Sequence, residues 1–435
     1  MSSRRRKHKR EMAAVERLFP HVVAHHYLDS GDFNGLPISD LEAVFEITHE
    51  QAIDITRKSI VDELVCITHP GNSSNAHIKA SVVGPIKDQL AALEKYGNST
   101  ICLYPTESIL KELVNESDFT DRPFTLMLCL GQPQLRLLCF DLSVLEFYRN
   151  DPRFYYVNTD LDGRIGVTDE YWDNEKMKDH DKVMLKTFGF AIDKELNRAV
   201  TVFICYLSRL TPEHQKHWQK YILREDYIPH PDYVRTHLEG KFPERLPIFV
   251  AFLEEMKVIN NMCVAIDRKP LFRCVFDVHT KPREFTFLIR PTQKEYRGFL
   301  QTLDKMVSDN IDISFFLNEV ELEVDELRND GRVKVTQKGS LQVLSDWLDA
   351  HFVTEEKQPI SEMVSTFREI RKLRQKPAHT IESDQFEPSL LGEQRELMIR
   401  AYRGMKTLRL ILANFPGADS VKVPKPLRES LIWTY

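Results

Sequence analysis

The chain has 435 residues, of which 42% are hydrophobic and 29% are charged, the proportions of an ordinary globular protein. Its formal net charge of −6 excludes a chain that binds polyanions along its whole length, so any affinity for nucleic acid must come from local basic patches. The length predicts two to four domains, with enough chain to bury a real hydrophobic core.

Seven cysteines are scattered through the sequence, and no two of them have the C-x-x-C spacing of a zinc or redox site. We therefore expect reduced cysteines in the core, with no disulfide framework, no metal and no cofactor. No apolar stretch approaches eighteen residues, and the basic start lacks the apolar segment of a signal peptide. These features predict a cytoplasmic protein without a membrane partner.

The sequence begins with a run of positive charge. Six cations lie within the first ten residues: Arg4, Arg5, Arg6, Lys7, Lys9 and Arg10. We expect a basic arm here, followed by a helix over residues 11–29. Beside a nucleic-acid-binding fold such an arm favours contact with phosphate groups, although a solvated tail would have the same composition.

Two capping patterns predict the next two helices. Ser39 and Thr48 each stand three positions before a residue that can complete a capping box, Glu42 and Gln51. The expected elements are helices over 41–45 and 50–62 and strands over 64–68 and 77–81. This order of helix, turn, helix and hairpin resembles a winged helix over residues 1–90, which implies DNA as a partner. A winged helix used only for packing or protein contact remains the alternative.

Residues 91–290 combine strands and helices, and we recognise no family in them. Thr211-Pro212 marks a helix start, with a cap followed by proline at the first helical position. His214 and His217 have metal-pair spacing, but no third ligand is evident, so we expect an ordinary exposed helix. Antiparallel hairpins are predicted from three pairs of segments: 124–130 with 135–141, 188–193 with 199–207, and 272–278 with 284–289.

Residues 291–435 are predicted to form four amphipathic helices. Thr292 with Glu295 opens the first as a capping box, and the acidic residues 318–336 are expected to form a loop or a small ribbon. The third helix has apolar residues at 363, 367 and 370, and the next position of that stripe is Arg374. An arginine on this packing face must meet an anion, a carboxylate or a subunit boundary.

The hexapeptide Arg374-Gln-Lys-Pro-Ala-His379 carries the strongest functional signal in the chain. It places a permanently charged guanidinium near an imidazole that titrates close to neutrality. Pro377 is expected to stop or kink the helix near Gln375, so that the two side chains can converge. With an apolar residue before the arginine and Ala378 before the histidine, the segment resembles the signature of the HEPN superfamily. This superfamily consists of small helical domains found in many prokaryotic RNases, toxins and phage-defence proteins.

The resemblance implies a metal-independent endoribonuclease that serves as a toxin-like effector in prokaryotic antiphage defence. His379 would act as general acid or base, Arg374 would stabilise the phosphorane-like transition state, and Gln375 would orient the substrate or the histidine. The RNA 2′-hydroxyl would be the nucleophile, so the reaction needs no metal. HEPN proteins usually dimerise, which implies a homodimer through the C-terminal domain. The cations expected to bind the RNA backbone are Arg368, Arg371, Lys372 and Lys376.

The sequence thus predicts a multidomain α+β protein with a winged helix, a mixed middle domain with antiparallel hairpins, and a four-helix HEPN-like bundle over residues 291–435. Two alternatives to the nuclease remain open. The chain could be a non-catalytic nucleic-acid-binding regulator, in which Arg374 is structural and the bundle only dimerises. It could also be a structural subunit of a larger defence complex. Gln375 stands where HEPN motifs usually have asparagine, aspartate or histidine.

Overall fold

The structure, a computed structural model, describes residues 2–71, 73–97, 99–224, 226–327, 333–352, 356–375 and 384–434. It confirms the predicted mixed α+β class, with helices and small, mostly antiparallel sheets. No helix in the described ranges has the length and apolar character needed to span a bilayer. Contacts between Cα atoms divide the chain into two units, and the predicted division into three domains stays a prediction. Unit 1 comprises Met1–Val144, Asp151–Tyr155 and Arg164–Pro229, and unit 2 comprises Leu145–Asn150, Tyr156–Gly163 and His230–Tyr435.

The first part of unit 1 packs helices around a small sheet. Its elements are α1 (Ser2–Asp29), β1 (Leu36–Pro37), α2 (Ile38–Phe45), α3 (His49–Val61), β2 (Val65–Thr68), α4 (Ile86–Tyr96) and β3 (Cys102–Pro105). The strand order is β1-β3-β2, with β3 antiparallel to both neighbours. The core of this part includes Phe19, Leu41, Ile55 and Leu103.

The expected arm is part of a helix. Helix α1 begins at Ser2 rather than at residue 11, because arginine and lysine are good helix formers and no glycine or proline interrupts the run. The side chains of residues 1–10 lie outside the described part. The capping box of Thr48 and Gln51 is confirmed at the start of α3. The one predicted at Ser39 is wrong, since Pro37 is the N-cap of α2.

The strand predicted over residues 77–81 does not form, and β2 pairs with β3 instead. Side chains take the backbone groups that a strand would need. The backbone N–H of Lys79 donates to Oε1 of Gln134 at 2.6 Å, and the backbone N–H of His77 donates to Oδ1 of Asn75 at 3.0 Å. The strands that do pair, β2 and β3, are separated by a long connection that contains α4.

Residues 107–229 supply a larger sheet and a series of helices. The elements are α5 (Glu107–Leu113), α6 (Pro123–Cys129), β4 (Leu137–Phe140), α7 (Glu146–Arg149), β5 (Phe154–Asn158), β6 (Asp162–Val167), α8 (Asp169–Trp172), β7 (Met184–Ile192), β8 (Arg198–Phe203), α9 (Ile204–Leu207), α10 (Pro212–Gln219) and β9 (Ile228–Pro229). The strand order is β4-β8-β7-β6-β5, with β9 beside β7. Helix α7 belongs to unit 2.

One of the three predicted hairpins in the middle region is confirmed. Strands β7 and β8 pair antiparallel from Ile192↔Arg198 onward. Residues 124–130 are not a strand, because Pro123 opens helix α6 there. The side chain of Gln215 accepts hydrogen bonds from the first backbone N–H groups of this helix. Residues 272–278 and 284–289 do not form a ladder either. The side chain of Asn310 bonds both backbone groups of Cys274 and so replaces a partner strand.

The helix predicted at Thr211-Pro212 is confirmed as α10, but the expectation that it is exposed is wrong. His214 is 3% exposed, and Gln215 and Trp218 are fully buried. The ring of Trp218 packs edge-on against Phe140 of the sheet, with ring centroids 5.0 Å apart. Despite its polar composition, α10 therefore contributes side chains to the core of unit 1.

Unit 2 is mainly helical. Its further elements are α11 (Pro231–Glu239), β10 (Leu246–Pro247), α12 (Ile248–Ala265), α13 (Gln293–Asp304), β11 (Glu323–Leu327), β12 (Val333–Gln337), α14 (Ser340–His351), α15 (Gln358–Gln375), α16 (Ser389–Leu412), α17 (Lys425–Arg428) and β13 (Ile432–Trp433). Helices α13 to α16 are the four predicted helices, and α12 packs against α16 as a further member of the bundle. Strands β11 and β12 form the small ribbon, and β10 pairs with β13 in parallel.

Three interactions hold the bundle together. Helices α15 and α16 approach closely where Gly404 faces the ring of Phe367. Helices α12 and α16 are joined by a buried ion pair between Glu255 and Arg409, 2.5 Å apart. The guanidinium of Arg268 lies over the rings of three aromatic residues, Phe315, Trp347 and Phe415, at 5.3 to 5.5 Å from their centroids.

Candidate functional site

Arg374 lies in the last described turn of α15 and meets two carboxylates. Its Nη1 atom is 2.5 Å from Oδ2 of Asp304 and 3.2 Å from Oδ2 of Asp309. The side chain of Asp304 has no exposed surface, whereas that of Asp309 is 45% exposed. Of the three partners predicted from its position on the apolar stripe, the arginine therefore has a carboxylate.

A π-helical turn brings the two carboxylates to one side. Helix α13 ends at Asp304 and continues as a π-turn over Lys305–Asp309, in which the backbone N–H of Asn310 donates to the carbonyl of Lys305. On an α-helix, residues five positions apart point about 140° away from each other. The wider π-turn stacks residues at that spacing, and such turns are frequent at functional sites. This backbone feature lets Asp304 and Asp309 share one arginine.

Neighbouring side chains fix this arrangement. The hydroxyl of Ser308 donates to Oδ1 of Asp304 at 2.5 Å, and the hydroxyl of Ser340 donates to the carbonyl of Ser308 at 2.7 Å. Arg371, one turn before Arg374, donates from Nη2 to Oδ1 of Asp309 at 3.0 Å. The hydroxyl of Ser308 thus helps to orient the buried carboxylate of Asp304 toward Arg374.

The arginine is held by one of its nitrogens. The hydrogen bond to Asp304 raises the pKa of Arg374 above its ordinary value, so the group stays charged at any physiological pH. Its side chain is 35% exposed. With the residues that the structure describes, Nε and Nη2 make no hydrogen bond. A guanidinium held through one nitrogen, with its other two nitrogens left to bond a ligand, suits the binding of a planar or tetrahedral anion.

The other predicted site residues divide into those that the structure describes and those that it does not. Arg368 and Arg371 face the start of α14, where Nη2 of Arg368 donates to Oε1 of Gln342 at 3.2 Å. Lys372 and Gln375 are exposed on α15. Lys376 and His379 lie outside the described residues, as do the side chains of Arg4, Arg5, Arg6, Lys7, Lys9 and Arg10. The distance between the arginine and the histidine of the motif is therefore not part of the described geometry.

Comparison with protein-family models, curated proteins and solved structures gives no match for this chain. The candidate site is thus defined by the geometry of its residues and not by likeness to another protein. Within the described ranges, His, Cys, Asp and Glu side chains do not gather into a group that could hold a metal ion.

Sequence reasoning missed the acidic half of this site. Asp304 stands four positions after Leu300 and four before Ser308, on the face of α13 that carries the apolar stripe. A carboxylate at such a position needs a cation, and that signal was available. No pattern in the sequence indicated Arg273 as part of the site. Its Nη1 donates to the backbone carbonyl of Asp309 at 3.2 Å and adds a positive charge to the surface around that residue.

Proposed function

We propose that unit 2 is a metal-independent endoribonuclease of HEPN type, with Arg374 in its active site. The observation that carries the proposal is that Arg374 is held in place by two carboxylates while part of its side chain stays exposed. Asp304 and Asp309 fix it through Nη1, while its side chain is 35% exposed and stands five residues before His379 in the sequence. A preorganised cation of this kind stabilises a charged transition state without reorganising during the reaction.

The proposed reaction divides the work between the motif residues. The 2′-oxygen of the RNA attacks the adjacent phosphorus and loses its proton, and the 5′-oxygen leaves and gains a proton. His379 performs one of these proton transfers. Arg374 binds a non-bridging phosphate oxygen through Nε and Nη2, and Gln375 orients the substrate. The products are a 2′,3′-cyclic phosphate and a 5′-hydroxyl, and DNA resists because it lacks the nucleophile.

The surrounding charge supports RNA as the substrate. Arg371 and Arg374 are balanced by Asp304 and Asp309, while Arg273 adds a positive charge beside this set. Arg368 and Lys372 extend the cationic surface along α15, and Lys376 continues it in the sequence. A homodimer that brings two such surfaces together would form the longer groove that the HEPN resemblance implies.

The test is cleavage of RNA by the full chain in the presence of EDTA. Wild type, Arg374→Ala and His379→Ala are incubated with tRNA, mRNA and single-stranded DNA, and the product ends are identified. We expect RNA cleavage with cyclic phosphate ends in the wild type and a loss of at least about a hundredfold in both variants. An RNA with a 2′-deoxy nucleotide at the cut position should resist.

Arg400→Ala is the matched control. Arg400 also forms an arginine–carboxylate pair on the bundle surface, with Glu369, but it lies on α16 and outside the motif. Its variant should cut RNA like the wild type. Equal cleavage by wild type, Arg374→Ala and His379→Ala, or cleavage abolished by EDTA, would refute the proposal.

We also propose that this activity serves as a toxin-like effector in prokaryotic antiphage defence, as the HEPN resemblance implies. Expression in bacteria should then arrest growth, and Arg374→Ala should remove the arrest. Growth arrest that persists in Arg374→Ala, with the variant expressed at wild-type level, would separate toxicity from the proposed active site.

A second proposed function concerns nucleic-acid binding by the start of unit 1. The order of α2, α3 and the antiparallel pair β2–β3 supports a winged helix with α4 inserted between its strands. Two cations of α3 are already compensated, because Arg57 pairs with Asp54 and Lys58 pairs with Glu16. The six cations at the start of α1 would therefore supply the phosphate contacts.

Removal of residues 2–10 tests this function. If the helix start binds DNA, the truncated chain should lose affinity for duplex DNA, and its affinity should fall less steeply with salt concentration. Replacement of the six cations by glutamine keeps the helix length and should have the same effect. Unchanged affinity and salt dependence in both proteins would exclude the N-terminal cations as a DNA contact.

A further inference from the structure

A cavity of about 370 Å³ lies between α14 and α15. Its apolar floor consists of Leu348, Phe352, Ile360 and Val364. Polar side chains form the rim, with Ser345 and Asp349 on α14 and Ser361 and Ser365 on α15. Lys357 and Arg368 also line it and bring positive charge. The volume is within the range of small-molecule sites, which begins at about 300 Å³.

We propose that this cavity binds one nucleotide of single-stranded RNA on the same strand as the cleaved phosphate, with the base inside and a phosphate on Arg368. This inference rests on the proposed nuclease, because it adds a subsite to the same groove. A nucleobase has apolar faces and a polar edge, and the cavity offers an apolar floor and a rim of hydroxyl groups and a carboxylate.

The position of Arg368 connects the cavity with the candidate active site. Arg368 stands six residues before Arg374 on α15, which is roughly 9 Å along the helix axis at 1.5 Å per residue. Arg371 lies between them. Because six residues also turn about 120° around the axis, the two side chains leave the helix in different directions, and Arg371 continues a cationic path that one strand can follow over more than one nucleotide.

The charge of Arg368 is available to a ligand. Its Nη2 donates to the neutral amide of Gln342, and no carboxylate of the described residues forms an ion pair with it. Arg371 and Arg374, in contrast, share the carboxylates of Asp304 and Asp309. Arg368 thus carries the least compensated charge among the three arginines on this part of α15.

Asp349 gives the cavity a preference among bases. A carboxylate accepts hydrogen bonds from the exocyclic amino groups of cytosine, adenine and guanine, whereas uracil offers only its N3–H, which lies between two carbonyl oxygens that repel a carboxylate. Its exposed side chain lies on the rim, where it can reach the edge of a base on the apolar floor. The proposal therefore predicts tighter binding of cytosine or adenine oligonucleotides than of uracil oligonucleotides.

The experiment measures binding without cleavage. Full-length His379→Ala protein is titrated into fluorescently labelled, single-stranded oligonucleotides of cytosine, adenine or uracil, and the dissociation constant is taken from anisotropy. Ser361→Trp, which fills the cavity, should weaken binding about tenfold or more, the value of one lost base-stacking contact. Arg368→Gln should weaken all oligonucleotides and reduce the salt slope by about one phosphate contact. Asp349→Ala should weaken cytosine and adenine oligonucleotides and leave the uracil oligonucleotide unchanged or tighter.

Glu362→Trp is the control for the filled cavity. It places the same large side chain on the neighbouring exposed position of α15, outside the cavity. Glu362→Gln removes the same negative charge without adding a ring, so Glu362→Trp is compared with Glu362→Gln. A loss of affinity in Ser361→Trp, with equal affinities in Glu362→Trp and Glu362→Gln, assigns the effect to the cavity.

The outcomes separate this inference from the proposed nuclease. If Ser361→Trp and Arg368→Gln bind RNA like their parent, the subsite is refuted, even where cleavage depends on Arg374 and His379. If Ser361→Trp changes only the oligomeric state, measured by light scattering, the cavity is a contact between copies and the subsite is also refuted. If RNA binding depends on the cavity but Arg374→Ala still cuts, the active-site proposal fails and the subsite stands.

Discussion

Nη1 of Arg374 and Oδ2 of Asp304 lie 2.5 Å apart, although the two residues are 70 positions apart in the chain. The carboxylate is fully buried, and the arginine is one-third exposed. Removal of the arginine leaves a buried charge with Ser308 and a more distant Arg371, at 3.9 Å, as its remaining neighbours. The pair therefore serves stability as well as the proposed catalysis, and a variant must separate the two.

We expect Arg374→Ala to lower the free energy of unfolding by about 1–3 kcal/mol, since the exposed side of the pair is screened by solvent. The double variant Asp304→Asn/Arg374→Ala should regain most of this loss, because a neutral amide is less costly to bury without a cation. Denaturant unfolding measures both. The double variant should still fail to cut RNA. Restored cleavage in the double variant would mean that the single variant is inactive only because it is unstable.

Two glycines on α16 provide a matched pair. A Cβ atom on Gly404 would lie 2.8 Å from Cε1 of Phe367, so Gly404→Ala must push α15 and α16 apart. We expect a loss of about 1–3 kcal/mol from overpacking. Gly392 has no atom within 4 Å of such a Cβ, so Gly392→Ala should stabilise the helix by up to about 1 kcal/mol. Opposite shifts in melting temperature would check the helix packing. Equal shifts would contradict it.

The ion pair of Glu255 and Arg409 is buried, with 0% and 5% of the two side chains exposed. Arg409→Met leaves the carboxylate without its cation and should lower the free energy of unfolding by about 3–5 kcal/mol. The double variant Glu255→Leu/Arg409→Met should recover most of that loss, since apolar residues of similar size replace both charges. A double-mutant cycle by denaturant unfolding measures the coupling. Additive losses would show that the two side chains do not depend on each other.

The burial of Glu255 should also make the stability of the protein depend on pH. Burial raises the pKa of this carboxyl above its ordinary value of 4.5, so the folded state binds the proton more tightly than the unfolded state. Stability therefore falls as pH rises from 4.5 through the folded pKa. Because Arg409→Met removes the cation that opposes this shift, the fall should extend to higher pH in that variant. Unfolding measured across pH would detect it.

His214 should make unit 1 sensitive to acid. Burial, and then the nearby His217, lower the pKa of His214 from 6.5 to about 4. The unfolded state therefore binds the proton more tightly, and stability that is fully present above pH 6.5 is lost as pH falls from 6.5 to 4. The loss should be on the order of 2–3 kcal/mol. His214→Asn should reduce the difference between unfolding at neutral and at acidic pH, with the fluorescence of buried Trp218 as a readout. An unchanged acid slope would assign the loss to other groups.

Many of the helices are determined by the sequence within a few neighbouring residues. The Thr48–Gln51 capping box, proline at the first position of α10 and the apolar stripes of α13 to α16 act over one to four turns, so a single sequence reveals them. Strand pairing does not work in this way. Two segments have the composition of strands, residues 124–130 and 77–81. Their backbone N–H groups instead donate to side chains distant in the sequence, those of Gln215 and Gln134 respectively.

The site shows the same limit. The sequence placed Arg374 on a packing face and so predicted an anion, a carboxylate or a subunit boundary beside it, because a guanidinium on such a face needs a partner. Only the tertiary structure decided that the partners are Asp304 and Asp309, since a π-turn aligns them and helix packing brings them to α15. Periodicity along one helix fixes the direction of a side chain relative to its own axis. What that side chain meets depends on how another helix packs, and contacts over such sequence distances leave no local pattern.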